Sequence, residues 1–551
     1  VINNITVGEY LGIPFAKPPI RELRFKPPVE VDELAEDKVA INPAKTCPQP
    51  ILRTGIYAFD YWNPPSNIDE DCLQLNMWVP NVDVHDGKPV MVNLCGSSYY
   101  RFGASNDVFN GSVLAAYSGA IVVNLNFRLG ALGFARIKDN ENVKGNMGLL
   151  DQQIGLKWIQ KNIKKYGGDP TKVTLIGDQS GSSSAAAHLY SDKSKNLFKR
   201  IAITSGVLEN PWASRTNKYT EMMTQKLAIL LECAKDKDGN LIKLHREDKF
   251  EENVIEKKNI NVNLKCMQEK SYDDILNKTA IIKSQEGKTF GQPFSLIEFD
   301  GTFFTKNITS NKSPHSNKNV LMGNAGNEGS FYLWYYYRNE ANCRVNFSTQ
   351  PMTGECTVNG TNFDKIATSV KEVFGKEDEW RNNILKNYPL SSSNGSKVAS
   401  KFMSSLLFDC GLEQFADKLS KLSGTQKIYV YQLQHRSVER NITWPKSFGT
   451  VHASLVEFLF GRPFRYPDHY DKDKLGDEQD FSRKIMKMHG RFAKRGKPTK
   501  DWNSYKTGTN NILILNSKFD YKKYTNEYLK NRLDCNCDWL IKEFEQEKTQ
   551  D

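Results

Sequence analysis

The sequence has no uninterrupted apolar run of about 18 residues, the length a helix needs to cross a bilayer, so no stretch of its 551 residues reads as membrane-spanning. It has no doubled C-x-x-C spacing, which removes the usual zinc frameworks, and no metal or cofactor is expected. Aromatic-rich RNA-binding signatures are missing too, and with them the case for a nucleic-acid partner. There is no internal repeat and no long linker, so residues 1–551 read as a single large domain. The chain also lacks an opening methionine and an apolar leader, which suits a mature product or an excised ectodomain.

What is present narrows the class. Hydrophobic residues make up 39% of the chain, enough for a sizeable core. The net charge of +11 comes from lysines that look scattered, and runs such as Lys161–Lys165 read as solvated helix faces, with an anionic cell surface left open as a partner. Ten cysteines accompany glycosylation sequons at Asn4, Asn110, Asn277, Asn307, Asn311, Asn346, Asn359, Asn394 and Asn441. Together they point to an extracellular, disulfide-bonded glycoprotein, secreted or the ectodomain of a membrane protein.

The stretch Val173–Ser191, VTLIGDQSGSSSAAAHLYS, organises the rest: an apolar run, a turn flanked by Gly177 and Gly181, then small helix-compatible residues. Strand-like runs precede it at Pro89–Leu94 and Val122–Phe134, and Gly145–Pro170 carries apolar residues at helical spacing before a Gly-Gly-Asp-Pro stop. Alternating strands and helices predict an α/β fold whose mostly parallel sheet is covered on both faces. Charged or polar stretches at about 233–265 and 338–362 read as exposed insertions.

Four blocks carry a family resemblance: GEYLGIPFAKPP (Gly8–Pro19), EDCLQLNMWVP (Glu70–Pro80), NEGSFYLWY (Asn327–Tyr335) and GTVHASLVEFLFG (Gly449–Gly461). They resemble the cholinesterase and type-B carboxylesterase family of α/β-hydrolases, densely from about residue 5 to residue 215 and in islands afterwards. The resemblance implies disulfides between Cys47 and Cys72, between Cys233 and Cys266, and between Cys410 and either Cys535 or Cys537, with Cys537 carried in the disulfide set. Cys343 and Cys356 are read as a local pair without a family pattern behind them, and Cys95 stays unassigned.

The family's esterases need a nucleophile, a base, an acid that orients the base, and amide donors for an oxyanion. By resemblance the acid position is Glu328 and the base position His452. The nucleophile position, midway between Gly177 and Gly181, is Gln179. The donor glycines are replaced by Ser97 and Ser98, and the third donor is the amide of Ser180. A glutamine side chain is no nucleophile, and serine side chains crowd the place of a substrate carbonyl. Glu328 and His452 are therefore read as a buried structural pair, with Gln179 expected to satisfy the free imidazole nitrogen.

Trp62, Trp212, Phe331, Tyr332 and Tyr335 fall at positions that resemble the family's aromatic gorge, where cations bind ring faces. Inherited core aromatics are the plainer account of them. Three readings follow. The first is an inactive family member of the neuroligin, neurotactin or gliotactin type, recognising an extracellular or cell-surface protein. The second is a soluble binder of a choline-like or apolar small molecule in that gorge. The third is an active carboxylesterase using a displaced serine such as Ser180. The amphipathic stretch Tyr524–Gln546 is read as a helix through which two copies pair as a homodimer.

Overall fold

The computed structural model describes residues 2, 4–32, 39–65, 67–82, 87–242, 260–286, 289–308, 313–391, 394–508, 511–519, 529–530 and 537–547. Ten strands form one sheet: β1 (Val7–Pro14), β2 (Gln74–Pro80), β3 (Lys88–Leu94), β4 (Ile121–Leu125), β5 (Gly168–Asp178), β6 (Arg200–Thr204), β7 (Asn319–Ala325), β8 (Ile428–Leu433), β9 (Ile512–Leu515) and β10 (Leu529–Lys530). Their spatial order is β1-β2-β4-β3-β5-β6-β7-β8-β9-β10. The pairings from β4 through β9 are parallel, and the antiparallel ones lie at the two edges. The chain has the α/β-hydrolase architecture, a mostly parallel sheet with helices on both sides.

Alternation along the central strands explains why both faces need a cover. Val173 and Leu175 of β5 join one apolar cluster, and Ile176 joins the cluster on the other face. The same alternation separates Val320 and Met322 from Leu321 in β7. Helix α1 (Met147–Asn162) packs on the first face; α6 (Lys472–Arg495) covers the second with Ile485, Met486 and Phe492. A third cluster gathers α3 (Glu328–Tyr337), α4 (Gly360–Val373), the terminal helix α7 (Cys537–Glu547) and Cys410 at the start of α5 (Cys410–Ser420), whose Leu412 and Phe415 turn to the first cluster.

Four disulfides join Cys47 to Cys72, Cys233 to Cys266, Cys343 to Cys356, and Cys410 to Cys537. Cys343 and Cys356 are opposite each other in an antiparallel hairpin, Cys343–Asn346 with Thr353–Cys356, so the polar stretch near 338–362 is an ordered hairpin leading into α4. Cys95 is a buried free thiol, whereas Cys535 and residues 243–259 of the first insertion lie outside the described residues. No helix among the described residues is long and apolar enough to cross a membrane.

The carboxyl-terminal expectation needs correction. Residues 524–546 do not form one helix: Leu529 and Lys530 pair with β9 as an edge strand, and the helix starts only at Cys537. Leu540 is fully buried in the third cluster and Cys537 is bonded to α5, so this helix turns apolar surface onto its own chain.

Candidate functional site

The site begins where β5 ends. Asp178 leads into Gln179, whose backbone sits at φ +50 and ψ −113, and α2 (Ser180–Ala187) starts at the next residue. Side chains rarely adopt that conformation, which stores strain in a turn this tight. The flanking glycines are required by contact: a Cβ on Gly177 would lie 2.4 Å from the Gly181 carbonyl carbon, and one on Gly181 would lie 2.2 Å from the Leu94 oxygen. The turn is thus clamped against the end of β3, and the loop after β3 faces Gln179.

That loop also carries left-handed residues, Ser98 at φ +54 and Tyr99 at φ +55. The Ser98 amide donates to Gln179 Oε1 at 2.6 Å, and the Ser97 hydroxyl donates to the same oxygen at 2.5 Å. Gln179 Nε2 donates to Ser98 Oγ at 3.1 Å and to the Tyr332 hydroxyl at 3.2 Å. The Ser97 amide is turned away to the Arg101 carbonyl. Ser180 is fully buried, and its hydroxyl accepts from the Tyr99 amide at 3.0 Å. A neutral side-chain carbonyl oxygen of the chain therefore takes up both the Ser98 N–H and the Ser97 hydroxyl.

Across from the elbow, Glu328 opens α3 and is fully buried. Its Oε2 accepts from His452 Nδ1 at 2.6 Å; its Oε1 accepts from the Ala325 amide at 2.7 Å and from the Ser205 hydroxyl. Burial pulls the His452 pKa down, but the charge of Glu328, its hydrogen bond and the charge of Asp178 outweigh that and hold it above its ordinary value. Gln179 does not complete this pair as expected. Its amide is spent on Ser97, Ser98 and Tyr332.

Asp178, which the motif comparison passed over, is a second acid beside the elbow. Burial pushes its pKa up to about 7, with His452 opposing and Glu328 adding to the rise. Its Oδ1 has no hydrogen-bond partner among the described residues, and a small apolar cavity lined by Phe109, Leu455, Leu459 and Phe460 adjoins it. The sequence signal was a carboxylate placed immediately before the apex, where the apolar run of β5 ends.

The aromatic positions separate into two groups. Phe331 stacks on Tyr335 and meets Tyr332 and Trp444 edge-on, and Tyr332 lies edge-on to His452 at 5.2 Å. Trp62 stacks instead on Phe102 at 5.3 Å and touches Tyr61, with no ring contact to Phe331 among the described residues. Phe102 holds φ +78, so a strained aromatic covers one face of Trp62. Trp212 is buried, its indole N–H donates to the Leu407 carbonyl and its ring packs on Phe408.

Arg462 was also unforeseen. Its guanidinium lies 4.5 Å over the Tyr61 ring and 4.7 Å over Tyr466, and it pairs with the fully buried Glu439 at 3.0 Å. A cation inside the apolar run LFGRPF was the signal available in the sequence. Among the described residues, no group of three or more His, Cys, Asp or Glu is placed to hold a metal ion.

The sequon asparagines Asn4, Asn277, Asn346 and Asn359 are exposed, while Asn110, Asn307, Asn394 and Asn441 are partly buried and Asn311 lies outside the described residues. Several use their side-chain oxygen locally. Asn110 accepts from the Ser112 amide, Asn346 from Ser348, Asn394 from Ser391, and Asn359 caps α4 through the Asn362 amide.

Comparison with known proteins places this geometry. The family model described as "Carboxylesterase family" matches residues 2–535. The chain is 29% identical over 530 residues to the acetylcholinesterase of Bungarus fasciatus, covering 93% of this chain and 80% of that protein. It is 30% identical over 511 residues to acetylcholinesterase 4 of Caenorhabditis briggsae, covering 89% and 78%. It is 30% identical over 513 residues to the cholinesterase of Mus musculus, covering 90% and 76%.

Proposed function

Because the chain belongs to the carboxylesterase family yet carries Gln179 at the apex of its elbow, we propose that it is a catalytically inactive, cholinesterase-like glycoprotein acting by recognition of an extracellular or cell-surface protein. One observation carries the reading: the Gln179 amide oxygen sits on the Ser98 N–H and the Ser97 hydroxyl, where a reacting carbonyl would have to bind. A glutamine amide gives His452 no useful proton to remove, and loss of a triad nucleophile costs about a millionfold in turnover. The buried Ser180 hydroxyl, directed at the Tyr99 amide, supports the same reading. Four disulfides support an oxidising compartment.

The test is a panel of choline and aryl esters together with a fluorophosphonate probe and peptide mapping. No turnover and no serine adduct are expected; an adduct on Ser180 would restore the active-esterase reading. A screen of the chain against extracellular proteins tests the recognition half, which fails if no partner is retained. Pairing of two copies belongs to the same proposal and is read by sedimentation.

A second reading, a choline-like or apolar ligand, draws on the Phe331–Tyr335 stack, whose outer ring is 54% exposed. Calorimetry with choline, decamethonium and a neutral isostere tests it, and the absence of heat with all three removes it.

A further inference from the structure

The lysines that look scattered along the sequence are gathered by the topology. Strands β5, β6, β7 and β8 are parallel neighbours; β6, β7 and β8 are each entered through a lysine, Lys199 before Arg200, Lys318 before Asn319 and Lys427 before Ile428, and Lys172 lies within β5, just before Val173. The register sets Lys318 level with Lys199, while Lys427 falls level with Asn319 and Lys172 with Phe198, each one residue out of step. Asn319 pairs with Arg200, Val320 with Ile428, and the Lys199 amide donates to the Val173 carbonyl. Neighbouring strands lie about 4.8 Å apart, so the four lysines form a staggered row along this end of the sheet, across roughly 14 Å.

The end of α6 extends this row. The Ala493 carbonyl accepts from Arg200 Nη1 and the Gly496 carbonyl from Asn319 Nδ2, which seats Lys494 and Arg495 beside the starts of β6 and β7. Residues 197–199, 316–319, 425–427 and 493–500 contain no Asp or Glu. Lys172 is paired with Asp169 at 2.8 Å, but among the described residues Lys199, Lys427, Lys494 and Arg495 have no ion pair, and all four are exposed. Lys318 donates to the Lys195 and Phe198 carbonyls. Burial, joined by the charges of Lys199 and Lys195, lowers its pKa to about 8, as expected for a partly buried cation crowded by others.

We propose that this strand-entry edge, at the end of the sheet opposite the elbow, is a binding surface for a linear sulfated polysaccharide of the glycosaminoglycan type. A staggered line of cations, of which Lys199, Lys427, Lys494 and Arg495 are exposed without an ion pair among the described residues, suits a flexible chain of fixed anions better than a single phosphate or carboxylate. None of the exposed large hydrophobic residues lies on these turns, so there is nothing to insert into a lipid surface, and the edge offers no exposed ring on which a nucleic-acid base would stack. The four disulfides favour the compartment in which such polysaccharides occur. None of the sequons falls on these turns, so attached glycans leave the row uncovered.

The full chain is measured by surface plasmon resonance against immobilised heparin, with hyaluronan, duplex DNA and phosphatidylserine vesicles as comparators. Heparin binding is expected, weakening at least about tenfold between 50 and 200 mM salt. K199E/K427E/R495E should lose at least about tenfold in affinity, whereas K138E/K365E/K386E, the same change of charge on other elements, should lose under about threefold. Equal losses in the two variants would reduce the effect to net charge and overturn the proposal. So would DNA or vesicles bound as tightly as heparin, or hyaluronan bound as tightly, since hyaluronan carries no sulfate. If the triple glutamate variant fails to fold, K199Q/K427Q/R495Q gives the same readout. The result is independent of esterase activity, so either reading can fall without the other.

Discussion

At Gln179 the backbone keeps a left-handed apex while the side chain turns its oxygen onto Ser97 and Ser98; at Glu328 and His452, a few ångströms away, both backbone and side chains keep a charged, buried hydrogen bond. The difference separates what the fold requires from what the chemistry requires. The turn is clamped by the contacts of Gly177 and Gly181, so the residue at the apex can change while the sheet stays intact. Glu328 also accepts from Ala325 and Ser205, so the acid is tied to β7 and to the turn after β6 and has a structural reason to persist.

The largest effect that would break this contrast is recovered reactivity. If the Glu328–His452 half is competent, Q179S/S97G/S98G should react with a fluorophosphonate at least about a thousandfold faster than the native chain, and Q179S alone far less. Labelling rates by mass spectrometry decide; no labelling of the triple variant would mean that the relay is only structural.

Next in size is Glu328→Ala. It leaves the imidazole and two donors without their acceptor in a fully buried place, and should cost about 3–5 kcal/mol in urea unfolding. Glu328→Gln should cost less, since it keeps an acceptor.

Asp178 sharpens the contrast through pH. Its folded pKa is raised to about 7, above an unfolded value near 3.9, so the folded state binds the extra proton between these values and stability falls as pH rises through them. His452 is also raised, and its contribution is present below about pH 6.5 and lost as pH climbs through its folded value. Asp178→Asn should therefore stabilise the chain at pH 8 by up to about 4 kcal/mol and change little at pH 4, measured as melting temperature across pH. The smallest effect concerns Trp62: Phe102→Gly uncovers its ring face and relieves a left-handed aromatic, and should gain choline affinity by about tenfold or less by calorimetry.

Much of this was legible because hard contacts leave marks in sequence. Gly177 and Gly181 betray an elbow since no Cβ fits there, and alternating Val, Leu and Ile betray buried parallel strands. The direction of the Gln179 side chain was not legible, because its partners lie on a loop 81 residues away in the chain. Phe102 on Trp62 and the lysines at the strand entries were hidden for a related reason: loop packing brings the first pair together and sheet pairing the second group, and sequence spacing shows neither. The helix read over Tyr524–Gln546 failed because amphipathic period alone does not exclude an edge strand at Leu529–Lys530.

Asn359 spends its oxygen on the first turn of α4, and Asn110, Asn346 and Asn394 spend theirs on nearby amides, while the side-chain nitrogen of each donates to nothing among the described residues. A sugar attaches through that nitrogen, so a glycan added to the nascent chain takes no bond from the finished one, and maturation and folding draw on different ends of the same amide.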